Sequence, residues 1–183
     1  MNLKKAVNQN LKMTNITKAS MKDCDLLVSI GRQSFLESHG SSAPTKDIAN
    51  YIDSKFTRQH FETEMQEANT FFYLLQYHEK PIGYSKITIN ASQKNITFAE
   101  VAKLERLYIL QEFHHLKLGL ELFSFNVKLS KQHKQLGMWL YVWVENKKAI
   151  AFYDKAGFRI IGSYDFKISE THSNPNHQML LTF

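Results

Sequence analysis

Two stretches in the C-terminal half of the chain carry residues whose types and spacing could do chemistry. In the first, Glu112-Phe113-His114-His115-Leu116-Lys117-Leu118-Gly119 follows an apolar run and leads into a helical pattern. The first amides of a helix lack intrahelical acceptors and lie at the positive end of its dipole, so the backbone between about Leu116 and Leu120 offers a seat for phosphate. Lys117 pulls two ways there. In a left-handed backbone it costs on the order of 1 kcal/mol relative to glycine, while its ammonium can meet an anion directly. In the second stretch, Asn146, Ala149, Phe152, Tyr153, Gly157 and Phe158 fit a short helix that Asn146 caps and Gly157 ends. Tyr153 is either one more core ring or a hydroxyl able to give a proton. Glu105, on the apolar run before the loop, is either a base working through water or half of an ion pair beside Arg106.

Other chemistries fit less well. His114 and His115 are adjacent, so their rings project differently, and no third ligand stands at metal-site spacing; no metal is expected. There is no GxxxxGK loop and no strand-coupled GxGxxG, which argues against a nucleotide triphosphate or dinucleotide enzyme. Trp139, Tyr141 and Trp143 alternate on one apolar run, the pattern of core rings in a strand rather than of a base-stacking platform. A net charge of +6 favours an anionic partner, but the lysines are scattered rather than blocked, so no nucleic-acid partner is expected. Cys24 is the sole cysteine, no apolar run approaches the ~20 residues of a membrane span, and Met1–Met13 lacks the features of a secretory signal. These features lead us to expect a cytoplasmic protein with no membrane partner.

The elements that must position these residues follow from periodicity. Residues 1–13 form a polar leader, and 14–183 are long enough for one domain. Asn15–Lys18 reads as a strand and Met21–Ser38 as a helix. After the turn-rich His39–Pro44, two short helices are expected over Asp47–Phe56 and Arg58–Glu67. Thr70–Tyr77 and Lys80–Ile89 form a hairpin around His78-Glu79, and a long strand lies within Thr97–Leu110. An amphipathic helix over Gly119–Gln135 and an apolar strand over Met138–Val144 imply a parallel crossover. The helix Lys147–Ala156 and strands over Phe158–Phe166 and His177–Phe183 complete the chain.

Leu104-Glu105-Arg106-Leu107-Tyr108-Ile109, the loop His114–Gly119 and the gapless run from Asn146 to Phe158 together resemble the acetyl-CoA-binding segments of the GNAT N-acetyltransferase superfamily. The resemblance implies an α/β (α+β) fold: a mixed central β-sheet of about seven strands flanked by about four to five helices. It implies acetyl-CoA as acetyl donor. The backbone of Leu107, Tyr108 and Ile109 would bind the pantetheine arm like an added strand, and His114, His115, Leu116, Lys117, Leu118, Gly119 and Leu120 would surround the pyrophosphate. Asn146 and Tyr153 would also line the donor site, with the Tyr153 hydroxyl protonating the departing thiolate. Two positions depart from the family's loop pattern: His114 stands at the usual Gln or Arg, and Lys117 at the usual first Gly.

Within the superfamily, the Ser34-Phe35 helix end, the insertion carrying Tyr51 and the Tyr153–Phe158 ending look most like bacterial polyamine-type (spermidine/spermine) acetyltransferases. The expected partner is therefore a small primary amine, contacted by Phe35, Glu37, Tyr51 and Trp143, with Asp47 and Asp53 as further carboxylates for a polycation. A peptide or protein N-terminus, another small amine, or a catalytically silent CoA-binding regulator are the alternatives, and a homodimer is allowed.

Overall fold

A computed structural model describes residues 13–183; the expected polar leader, Met13 apart, lies outside the described residues. The chain runs β1 (Thr14–Lys18), α1 (Cys24–His39), α2 (Thr45–Lys55), α3 (Arg58–Gln66), β2 (Thr70–Tyr77), β3 (Lys80–Thr88) and β4 (Val101–Ile109). It continues with α4 (Leu118–Gln132), β5 (Gly137–Trp143), α5 (Lys147–Lys155), β6 (Arg159–Lys167) and β7 (Ser173–Thr182). Short 3-10 turns at Met21–Asp23 and Gln111–Leu116 precede α1 and α4.

All strands join one seven-stranded sheet in the order β1-β2-β3-β4-β5-β7-β6. Only β4 and β5 pair in parallel, because α4 crosses between them. The β2–β3 hairpin closes on His78 and Glu79, both left-handed (φ 46° and 63°), the geometry that lets a two-residue turn follow the sheet twist. Strand alternation sorts the core onto two faces. Phe72, Leu74 and Tyr84 pack under α1, α2 and α3 with Leu27, Ile30, Ile52 and Phe61. On the opposite face, Met138, Leu140 and Val142 pack with Phe123 of α4 and Phe152 of α5.

Two features of β4 shape the centre of the sheet. Lys86 of β3 stands opposite Arg106 and Ile87 opposite Leu104, so Glu105 is an unpaired bulge residue, a device that bends a strand and re-aims its side chains. Beyond the bulge β4 stays with β3 as far as Ile109, whereas β5 stays with β7 along its whole length. The two central strands are therefore bonded to each other only over Val101–Lys103 and Gly137–Trp139, and their C-terminal halves diverge.

Three expectations needed adjustment. The strand expected from Thr97 begins at Val101, where pairing with β5 also begins. The strand expected at His177 begins at Ser173, because Pro175 is accommodated inside it. The Pro175 carbonyl accepts from the Val144 amide, so its nitrogen faces the side where β5 has just ended and no donor is missed. The helix expected to reach Gln135 stops at Gln132, followed by a left-handed Lys134 (φ 56°).

Candidate active site

The divergence of β4 and β5 opens a slot between the sheet's two halves, with the start of α4 at the end of β4 and the start of α5 at the end of β5. Along this slot the β4 edge at Leu107, Tyr108 and Ile109 has no strand partner among the described residues. At the head of α4, Lys117 is left-handed (φ 58°, ψ 19°) and no side chain caps the helix. The Leu120 amide donates to the Lys117 carbonyl at 3.0 Å. Among the described residues nothing accepts from the amides of Leu118 and Gly119. A β-carbon on Gly119 would meet only Ile109, at 3.8 Å, so this surface is open to an approaching group. Free amides, a helix dipole and an unpaired strand edge form a donor set that fits the pyrophosphate and the amide-bearing arm of acetyl-CoA.

The loop side chains divide the work differently from what their sequence positions suggest. His114 turns back, its Nε2 donating to the Ile109 carbonyl at 2.8 Å, and so ties the loop to β4 instead of aiming at the slot. Leu118 is buried with Ile82, Ile109 and Leu122, so its side chain is core and only its backbone is available. His115, Lys117 and Leu120 are exposed, and Leu116 is half-buried. Asn146 accepts from the Ala149 amide at 3.1 Å through its side-chain oxygen and so caps α5. Lys147 folds back onto the Val144 carbonyl at 2.6 Å.

Tyr153 packs against Phe152 and Phe158 from the α5 side. Burial raises its pKa, and a further contribution from Tyr108 raises it in the same direction. A phenol held fully protonated is the form that can donate.

Below the slot lies a chain of charges that sequence reading missed. Glu64 of α3 forks onto Arg106 (2.7 and 2.8 Å) and receives Lys86 at 2.8 Å. Lys86 also reaches Glu105 at 2.7 Å, and Glu105 receives Lys103 at 2.9 Å. The bulge makes this possible by sending neighbouring Glu105 and Arg106 into the same network. Burial alone would raise the Glu105 carboxyl, but the Lys103 and Lys86 ammonium groups outweigh it and hold it down at about 2. Both Glu105 oxygens are engaged, with lysines rather than with the neighbouring Arg106, so it has little basicity to offer. Because folding lowers this pKa, the contribution to stability is present above ~4.3 and fades as pH falls from there toward 2. A signal existed: Glu64 shares the inward helical face with Phe61, and Lys86 shares a strand face with Tyr84, so both charges interrupt apolar patterns.

On the opposite face of the sheet from α4 and α5, aromatic side chains gather. Phe35 is stacked between His39 and Tyr51, each 4.9 Å away between ring centres. Tyr51 meets Phe166 edge-on at 5.8 Å, and His39 lies 5.8 Å from Trp143. Tyr51 and Trp143 thus belong to one aromatic wall, while Phe35 is only 3% exposed and supports it from within the core. Glu37 is a clearer correction. Its oxygens accept from the Gln111 amide and from Gln33, both at 2.9 Å, so it clamps the end of α1 to the start of the loop. Asp53 pairs with Arg32, and Asp47 accepts from Ser169. Among the described residues no group of three metal-ligating side chains occurs, and no helix is long and apolar enough to cross a membrane.

This geometry can be compared with known proteins. The profile of the Acetyltransferase (GNAT) family matches residues 33–158, most of the chain including the slot, the loop and α5. The chain belongs to the GNAT acetyltransferase family, and its class of reaction is N-acetyl transfer. An uncharacterized N-acetyltransferase from the pepI 3′ region of Lactobacillus delbrueckii subsp. lactis is 25% identical over 155 residues, covering 85% of this chain and 90% of that protein. A spermidine N(1)-acetyltransferase of Thermoplasma acidophilum is 26% identical, covering 79% and 88%. The fold is similar to that of the PaiA N-acetyltransferase from Thermoplasma acidophilum in complex with coenzyme A (TM-score 0.74, 24% identity, 93% of this chain and 99% of that one).

Proposed function

We propose that this protein transfers an acetyl group from acetyl-CoA directly to a primary amine, with Tyr153 as the acid that protonates the leaving thiolate. The observation that carries this reading is the slot, where an unpaired β4 edge and free amides at the head of α4 open onto one gap, with α5, the helix that carries the protonated Tyr153 phenol, starting beside it. When bound, acetyl-CoA supplies the thioester. The β4 backbone aligns its arm, the Leu118 and Gly119 amides take its phosphates, and an amide of Leu107, Tyr108 or Ile109 polarises the acetyl oxygen. Glu105 serves as charge balance for Lys86 and Lys103 rather than as the base.

Spermidine is the first acceptor to test, given the relative from Thermoplasma acidophilum. One observation favours a second reading: the carboxylates suited to a polycation are engaged elsewhere, while the wall between α1, α2, β5 and β6 is aromatic. That wall suits an amine carried on an apolar or aromatic body, including a peptide N-terminus.

Tyr153→Phe tests the mechanism. We expect kcat to fall roughly 10²-fold with acetyl-CoA affinity nearly unchanged, as for loss of a positioned acid; full turnover would remove Tyr153 from this role. Glu105→Gln should leave the shape of the pH–rate profile between about pH 6 and 9 unaltered, because a carboxyl held at about 2 does not titrate there. A displaced or abolished acidic limb, where the rate rises with pH, would restore Glu105 as the base.

A further inference from the structure

The last residue of α1 carries an arrangement for which the acetyl transfer so far has no use. His39 Nδ1 lies 2.7 Å from the Ser38 hydroxyl, and that hydroxyl donates its one hydrogen to the Ser34 carbonyl, also at 2.7 Å. With its hydrogen committed, the Ser38 oxygen can only accept from the imidazole. The ring is therefore the Nδ1–H tautomer, and Nε2 carries a bare lone pair. Among the described residues nothing donates to Nε2. Stacking on Phe35 fixes the plane of the ring, and Trp143 stands beside it on β5, at the end of the slot. Burial pushes the imidazole down to about 4, and no neighbouring charge contributes; the groups around it, Phe35 and Ser38 of α1 and Trp143 of β5, are uncharged. The ring stays neutral at ordinary pH, which keeps it an acceptor.

We propose that His39 seats the acceptor: its bare Nε2 accepts a hydrogen bond from the incoming primary amine, whose apolar body lies along the aromatic wall of Trp143, Tyr51 and Phe166. This inference rests on the reading of the protein as an amine acetyltransferase and names the side chain that recognises the amine. It also explains how an amine can be bound without a free carboxylate. A lone pair takes one N–H and leaves the nitrogen's own pair directed at the thioester, whereas a carboxylate would favour the unreactive ammonium.

Two experiments test it. Long-range ¹H–¹⁵N spectra of the imidazole in the intact protein should show an unprotonated Nε2 from about pH 5.5 to 8, shifting when phenylalaninamide is added in the presence of CoA. A protonated Nε2, a cationic ring at pH 6.5, or no shift with the amine overturns the proposal, even if no amine is ever acetylated. In parallel, His39→Phe keeps the stack on Phe35 but removes both nitrogens. With phenylalaninamide or spermidine as acceptor, KM for the amine should rise about tenfold, the loss expected for one hydrogen bond, while the thermal shift given by acetyl-CoA is unchanged. His39→Gln, whose amide oxygen reaches the Nε2 position, should recover part of the loss. An unchanged KM in His39→Phe also overturns the proposal. If the wild type binds acetyl-CoA but acetylates neither amine, the transferase reading fails instead, and the spectra still decide the role of His39.

Discussion

α4 and α5 begin in equivalent places, at the ends of the two neighbouring parallel strands, yet their first turns are finished in opposite ways. At α5 the Asn146 side chain takes the Ala149 amide, so the helix supplies its own acceptor. At α4 the residue in that place is a left-handed Lys117 whose side chain has no acceptor for an amide, and the amides of Leu118 and Gly119 stay free. The helix dipole is common to both. A capping side chain decides whether that dipole is satisfied within the fold or left for a ligand.

The largest test fills the free end from within. Gly119→Asp places a carboxylate where Gly119 now faces open space, so the fold should gain a few tenths of a kcal/mol from charge at a helix N-terminus. Acetyl-CoA affinity, read by calorimetry, should fall by about 10²-fold through like-charge opposition. A variant that binds as tightly as wild type would place the pyrophosphate elsewhere. Asn146→Ala should do the reverse, lowering stability in urea by about 1 kcal/mol while acetyl-CoA binds within about twofold of wild type. A large loss of affinity there would mean that Asn146 touches the cofactor after all. The smallest effect is expected of Lys117→Gly, which removes the left-handed strain and should raise stability by about 0.5–1 kcal/mol. Its acetyl-CoA affinity should become less sensitive to salt if the ammonium meets phosphate.

The same contrast shows where the sequence was legible. Around α5 every motif residue has a local reason to be what it is: a cap, a packed ring, a left-handed glycine at Gly157 (φ 98°). Local reasons leave local patterns, so the element could be anticipated. Lys117 obeys no such pattern, but its cost at positive φ could be foreseen from the glycine it stands in for, and φ is indeed 58°. The 3-10 turn over Gln111–Leu116 escaped because six residues of mostly polar chain carry no 3.6-residue period. The ion network escaped for a different reason: Glu64, Lys86 and Arg106 lie on three elements, and the β4 bulge then adds Glu105 to them. Glu37 was misread because its partner, the Gln111 amide, is 74 residues away.

The short ladder between β4 and β5 has a mechanical consequence. Only three rungs join β4 to β5. Past them the two halves of the sheet are held across the slot by α4 and by side chains such as Ser169 on Asp47 and Tyr51 against Phe166, so the slot opens like a scissor whose angle these contacts set. His39 belongs to α1, which lies on the β1–β4 half, and Trp143 to the other. The distance between the two sides of the acceptor seat is therefore set by the angle of the scissor. A donor arm lying in the slot would brace that angle, so the enzyme should load in a compulsory order, acetyl-CoA before amine, and initial-rate patterns would display it.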